Sequence, residues 1–323
     1  MAAAADLPPL ARGTVDRAAH LRRDADWLVA AWPGARVLVV DTAGGGLTLV
    51  QDVTAGAGNG TAAPVALALL PADRAPEVPP GDRLFLGVDA DGTAIFAVDA
   101  RLPAVTGTRP ASLREVGHLL SPRDAGVLVA GVALAYWHAG HRFSAATGEP
   151  TSVTEAGWVR EDAAGGQIWP RTDPAVIVLV HDGVPGPQGR CLLGHSRAWA
   201  GQPGVRRFSC LAGFVEPGES AEAAVAREVR EEVGVVVEDI AYVHSQPWPF
   251  PGSLMLGFTA YADAGQPLRP DLTEIADARW FRRAEVAAAY AGEPVDLGDG
   301  VRLALPTHAS IAAYLVGRWL REA

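Results

Sequence analysis

The chain has 323 residues, 49% of them apolar, which is enough for about two domains and at least one substantial core and excludes a peptide hormone or a disordered tail. Its 27 basic residues are all arginine and face 37 acidic ones, and this net charge of −10 argues against a general electrostatic clamp on nucleic acid. Only two cysteines, Cys191 and Cys210, exclude a disulfide scaffold and a four-thiolate zinc site and suit a reducing cytoplasm.

The first residues, MAAAADLPPL, lack a basic stretch followed by a sustained apolar run and so do not read as a secretory signal. The longest apolar stretch, 125–137, falls short of the roughly twenty residues that a bilayer span needs, so a soluble intracellular protein is expected. Up to about residue 136, short strand-like runs at 37–41, 47–50 and 84–88 alternate with loops rich in Gly, Pro and Ala, which predicts a small α+β domain. Its last element is a helix over 121–137, begun at Ser-Pro and carrying Leu128, Val132, Leu134 and Tyr136. From 138 to 171 the apolar density falls and short clusters of Gly, Thr, Glu and Asp predict a linker or tiny subdomain without long elements. A β-branched run at 175–180, the turn GVPGPQGR and a second run at 191–193 read as a hairpin. Mixed elements continue to a last helix over 310–319. The expected division is 1–136, 137–172 and 173–323.

The chemistry is concentrated in GFVEPGESAEAAVAREVREEVGV, 213–235. Ser220 is placed to cap a helix whose buried stripe is Val225, Val229 and Val233, with Glu219 on the loop before it. At about 100° per residue, Glu228, Glu231 and Glu232 share an arc beside that stripe, which predicts three carboxylates in one small volume. Like charges so spaced destabilise a helix unless a cation neutralises them. An all-oxygen set selects a hard ion such as Mg²⁺ or Mn²⁺, although the six residues EVREEV alone read more readily as a solvated face.

The wider spacing resembles the Nudix box at every defined position: Gly213, Glu219, Arg227, Glu228, Glu231, Glu232 and Gly234. Seven fixed residues coincide by chance about once in 10⁸ starts. The resemblance implies an α/β/α sandwich with a mixed sheet that hydrolyses a nucleoside diphosphate linked to another group. It also implies that Arg227 braces Glu219, that Glu228 and Glu232 are metal ligands, that Glu231 is a ligand or water-orienting base, and that the Ala212 carbonyl is a further ligand.

After the box, Gln246, Pro247, Trp248, Pro249, Phe250, Pro251, Gly252 and Ser253 follow Ser245, and three prolines interleaved with two aromatics predict a rigid non-helical loop. On composition alone its aromatics read as core residues. The string resembles the SQPWPFPxS signature of the NADH pyrophosphatase branch of the Nudix hydrolases, as do YWHAGHRF, WPRTDPAVI and LAGFVEPGES. The branch implies that Gln246 to Ser253 line a dinucleotide site, and that Phe214 and Trp169 stack on a base, Trp169 across a homodimer interface. It further implies hydrolysis of NADH or NAD⁺ to nicotinamide mononucleotide and AMP, removal of NAD caps from RNA 5′ ends, and no engagement of duplex nucleic acid or membrane. The rival expectations are a sensor that binds NAD or ADP-ribose without cleaving it, and a hydrolase of ADP-ribose or nucleotide sugars.

Two departures stand out. The branch usually carries a zinc ribbon with two Cys-x-x-Cys pairs, whereas the matching positions are Ser144, Thr147, Asp162 and Gly165, so no zinc is expected. His138 and His141 are read as structural, and the ribbon's path is expected to be kept by packing of Phe143, Trp158 and Trp169 against the neighbouring domain or a second subunit, with Gly148 and Gly165 at the turns. In EIADARWF the branch has a Glu ligand where this chain has Asp277, one methylene shorter; Glu274 is the alternative.

Overall fold

The computed structural model describes residues 7–53, 65–199, 203–298 and 300–322, so residues 1–6 of the stretch read for a secretory signal lie outside the described residues. The chain divides into two compact units, Met1–Thr172 with Pro247–Ser253, and Asp173–Gln246 with Leu254–Ala323. Among the described residues no helix is long and apolar enough to cross a membrane.

In the first unit the helix α1 (Ala25–Ala31) precedes strands β1 (Arg36–Val40), β2 (Leu47–Asp52), β3 (Val65–Leu67), β4 (Leu70–Pro71), β5 (Leu84–Val88), β6 (Ala94–Asp99) and β7 (Arg109–Ser112). They form one sheet ordered β4-β1-β6-β5 and another ordered β3-β2-β7. A short helix α2 (Leu113–Val116) leads to α3 (Pro122–Gly140). Ser121 caps α3 by accepting from the Asp124 N–H at 3.1 Å, with Pro122 at the first helical position. Nearly the whole circumference of α3 is buried, because Leu128, Val129, Val132 and Leu134 sink into the core that β1, β2 and β6 also fill. Buried Asp124 is satisfied by Arg123 at 2.7 Å and by the Leu67 N–H at 3.1 Å.

Residues 138–171, predicted as a linker or tiny subdomain without long elements, form a small three-stranded sheet ordered β10-β9-β8, from β8 (Thr151–Thr154), β9 (Val159–Asp162) and β10 (Gln167–Ile168). Cross-strand pairing, which local composition does not reveal, makes these short polar stretches into strands. Trp158 anchors the segment, its Nε1–H donating to the Phe85 carbonyl at 2.7 Å and its ring lying 3.7 Å beneath the Arg22 guanidinium. Phe143 and Trp169, expected to pack as well, stay 62% and 59% exposed in this chain. His138 is structural: Arg160 donates to its Nδ1, its Nε2 meets the Gly157 carbonyl, and burial lowers its pKa to about 4.

At the four positions where the family carries its ribbon cysteines, the residues are engaged in local turns. Ser144 and Asp162 spend their side chains on their own turns, Ser144 Oγ accepting from the Thr147 N–H at 3.4 Å and Asp162 Oδ1 from the Ala164 and Gly166 N–H groups at 3.1 and 2.8 Å. Gly148 and Gly165 take positive φ of 74° and 83° in those turns, where a Cβ would be strained. Two hydroxyls, a committed carboxylate and a glycine do not suit tetrahedral zinc. Asp162→Ala is therefore expected to destabilise the chain by about 1 kcal/mol in thermal denaturation, equally with and without added zinc, while a stabilising effect of zinc on the wild type would overturn the assignment.

The second unit is a three-layer sandwich. Its main sheet, ordered β15-β16-β11-β12-β17, is built from β11 (Asp173–His181), β12 (Arg190–Ser196), β15 (Glu238–Trp248), β16 (Ser253–Tyr261) and β17 (Ile275–Arg282), with β14 (Leu211–Phe214) also on β11. The pair β13 (Val205–Arg207) and β18 (Arg302–Ala304) lies apart. Strand alternation decides the layers. Val176, Val178 and Val180 face helix α4 (Ala221–Val233), and Ile177 and Leu179 face α5 (Arg283–Tyr290) and α6 (Ile311–Arg321). Ser310 Oγ caps α6 by accepting from the Ala313 N–H at 3.3 Å. Cys191 and Cys210 are free thiols in the second of these layers, and burial pushes both pKa values up.

Candidate active site

Helix α4 is fixed at both ends and along one side. Ser220 Oγ accepts from the Ala223 N–H at 3.2 Å, Gly234 terminates the helix at φ 75°, and Val225, Val229 and Val233 are fully buried against the sheet. This stripe carries Glu232 inward, so that it is 7% exposed and its Oε2 has no hydrogen-bond partner. Burial pushes its pKa up to about 8, the neighbouring charges of Glu228 and Glu274 adding to the shift and the Ala212 N–H opposing it. Burial also raises the pKa of Glu228, against the pull of Arg227.

Arg227 organises the rest. Its Nε and Nη2 donate to the two oxygens of Glu219 at 2.8 and 2.9 Å, a bidentate brace, and Nη1 reaches Glu228 and Glu231, each at 2.9 Å. A further bond to the Phe214 carbonyl, at 2.9 Å, ties β14 to the helix. Hydrogen bonds from Arg227 and the Glu216 N–H hold the Glu219 pKa down. The Glu231 side chain, expected beside Glu228 and Glu232, is 59% exposed on the outer side of Arg227. Gly213, on β14, lies directly under the Glu228 carboxylate, in space that a Cβ would occupy.

The loop after β16 closes on the end of α4 through the Arg269 and Asp271 N–H groups, which donate to the carbonyls of Val233 and Glu232 at 2.8 and 2.9 Å. It carries Glu274, whose charge bears on both Glu228 and Glu232. Asp277 sits on β17 opposite His195, where Arg279 and Arg206 hold its carboxylate at 2.8 and 3.1 Å. Among the described residues no three His, Cys, Asp or Glu side chains converge as they stand on a point that could hold a metal ion. The chemistry of the set nevertheless fits a hard divalent cation: every side-chain donor is a carboxylate, and the orphaned Glu232 oxygen beside Glu228 is costly to bury charged without one.

The aromatic string, predicted as a rigid non-helical loop, is non-helical but is in part a strand. Ser245 to Trp248 are the end of β15, and only the turn to β16 is irregular, with a cis Phe250–Pro251 bond. Gln246 is fully buried, donating from Nε2 to the Ala309 carbonyl at 3.0 Å. Trp248 and Phe250 are half-buried, edge to face with centroids 5.0 Å apart, and pack on the core of the first unit. Pro249 is buried, whereas Pro247, Gly252 and Ser253 are partly accessible and Pro251 is exposed. Phe214, 60% exposed, and Trp169 present open rings.

Profiles for the NUDIX domain and for the NADH pyrophosphatase-like rudimentary NUDIX domain match residues 171–297 and 26–137. The NAD-capped RNA hydrolase NudC of Mycobacterium bovis is 41% identical over 318 residues, 97% of this chain and 95% of that one. The chain belongs to the NudC family of Nudix hydrolases. The Mycobacterium tuberculosis NudC, also called an NAD-capped RNA hydrolase, is 40% identical over the same shares. Human NAD-capped RNA hydrolase NUDT12 is 38% identical over 213 residues, 62% of this chain and 43% of that protein. As a Nudix hydrolase of this family, the chain carries its box glutamates on helix α4, with Glu232 buried and Glu231 turned to solvent.

Proposed function

We propose that this Nudix hydrolase cleaves the diphosphate of NADH or NAD⁺ into nicotinamide mononucleotide and AMP, and likewise removes an NAD cap from an RNA 5′ end. The observation that carries the chemistry is the buried, unpartnered Glu232 oxygen beside Glu228 on the box helix. The substrate class is supported by full-length likeness to NAD-capped RNA hydrolases. Glu228 and Glu232 would hold Mg²⁺ or Mn²⁺, with the Ala212 carbonyl, and with Glu274 in preference to Asp277, whose carboxylate two arginines already engage. Such an ion neutralises diphosphate charge and acidifies a water. Glu231, turned to solvent, takes the proton of the attacking water at its carboxylate, while the Glu219–Arg227 brace keeps the loop and helix in register.

Trp169 and Phe214 offer exposed rings to a base, and Trp169 does so across a homodimer. The segment from Gln246 to Ser253 shapes the dinucleotide side of the site. The working division is 1–136, 137–172 and 173–323, in a cytoplasmic enzyme that handles RNA through its terminal nucleotides, given its net charge of −10. Incubation with NADH and Mn²⁺ followed by chromatography is expected to yield reduced nicotinamide mononucleotide and AMP in equal amounts. Intact NADH bound to the protein would favour a sensor, and faster turnover of ADP-ribose would overturn the substrate assignment.

A further inference from the structure

Helix α2 is a single turn, yet it is firmly seated: Ser112 Oγ accepts from the Glu115 N–H at 3.3 Å, and Leu113 and Val116 are fully buried in the first core. Between these two anchors stands Arg114. Its guanidinium lies 4.1 Å from the centroid of Phe250 and 5.2 Å from that of Trp248. Both rings back onto the same core, Phe250 and Trp248 meet edge to face, and the Phe250 N–H donates to the Trp248 carbonyl at 2.7 Å. The turn 247–253 is thus held from below by apolar packing and capped by a cation on its aromatic faces.

A ring covered by a guanidinium on one side and packed on a core on the other is poorly placed to stack on a base. The geometry points to Arg114 as a positioning residue of the amino-terminal domain, which clamps the Trp248–Phe250 turn in the shape that receives the dinucleotide. This rests on the substrate reading proposed above. A partly desolvated cation–aromatic contact is strong enough to bias a turn by about tenfold in population. Because Arg114 lies on a different element from the α4 carboxylates, its effect belongs to binding and not to the chemical step.

The test compares Arg114→Met, which keeps length and apolar reach without charge, with Arg114→Lys, which keeps a cation. Full-length Arg114→Met is expected to raise KM for NADH by about tenfold with kcat within about twofold of wild type, and Arg114→Lys to recover most of the loss. Hydrogen exchange at the amides of 247–253 is expected to accelerate by about tenfold in Arg114→Met and to stay near wild type elsewhere. Unchanged exchange in that segment overturns the clamp, whichever substrate the enzyme prefers. Accelerated exchange with unchanged KM overturns the positioning role, and so does a parallel loss of kcat, KM and melting temperature in both variants. Failure of the wild type to hydrolyse NADH instead overturns the substrate assignment, and it is read independently of the exchange experiment.

Discussion

Glu232→Gln is expected to lower kcat by at least about 10³-fold at saturating Mn²⁺ while leaving the chain folded and, without divalent cation, more stable than wild type above neutral pH. The two halves of this result have one origin. Glu232 is inside the protein because the Val225, Val229 and Val233 stripe carries it there, and one of its oxygens has no partner. Holding that carboxylate charged beside Glu228 costs free energy, as its pKa of about 8 expresses, against 4.5 for an ordinary glutamate. Below pH 4.5 the group is protonated in both folded and unfolded chains and costs nothing. As pH rises from 4.5 to 8 the unfolded chain ionises first, so the wild type progressively loses stability, and above 8 the loss levels off.

The amide has no proton to lose. In chelator, the unfolding free energy of Glu232→Gln should therefore exceed that of the wild type by a margin that widens from pH 5 to pH 8, to on the order of a few kcal/mol. Added Mn²⁺ should close the margin by stabilising only the wild type. Near-normal kcat in the variant, or a stability gap independent of pH, would sink the assignment of Glu232 as a cation ligand.

How far the site could be read in advance depends on how local its causes are. The capping of α3 and α4 and the valine stripe of α4 follow from residues within a few positions of one another, and the structure has them as the pattern predicts. The Arg227 brace on Glu219 is equally local, joining a loop to the helix that it precedes. Glu274 differs, because what brings its charge to Glu232 is the pair of backbone bonds from Arg269 and Asp271 to the end of α4. No periodicity reports such a contact. Similarly, Asp277 is the residue aligned with a family ligand, but its place on β17 beside Arg206 and Arg279 depends on strand register. Composition pointed to Trp248 and Phe250 as core residues, and they do pack on a core; the arginine that caps them is far away in sequence and carries no local signal.

Gly213→Ala is expected to cost about 10²-fold or more in kcat with little change in melting temperature, although the substitution adds one methyl group to a strand. Gly213 pairs with Val176 across β11 and β14, and its φ lies outside the range reserved for glycine, so alanine suits the backbone. The difficulty is the side on which the methyl would emerge, because the Glu228 carboxylate fills that space. A carboxylate at the end of a flexible side chain gives way before a strand does. Glu228 should swing out, losing its bond from Arg227 and its place beside Glu232, while the core stays packed. If that is the mechanism, Gly213→Ala and Glu228→Gln remove the same group, and the double variant should be no slower than the slower single one. Losses that multiply in the double variant would show that Gly213 acts by some route other than making room for Glu228, and a kcat for Gly213→Ala within about threefold of wild type would show that Glu228 does not need the place in which it is found.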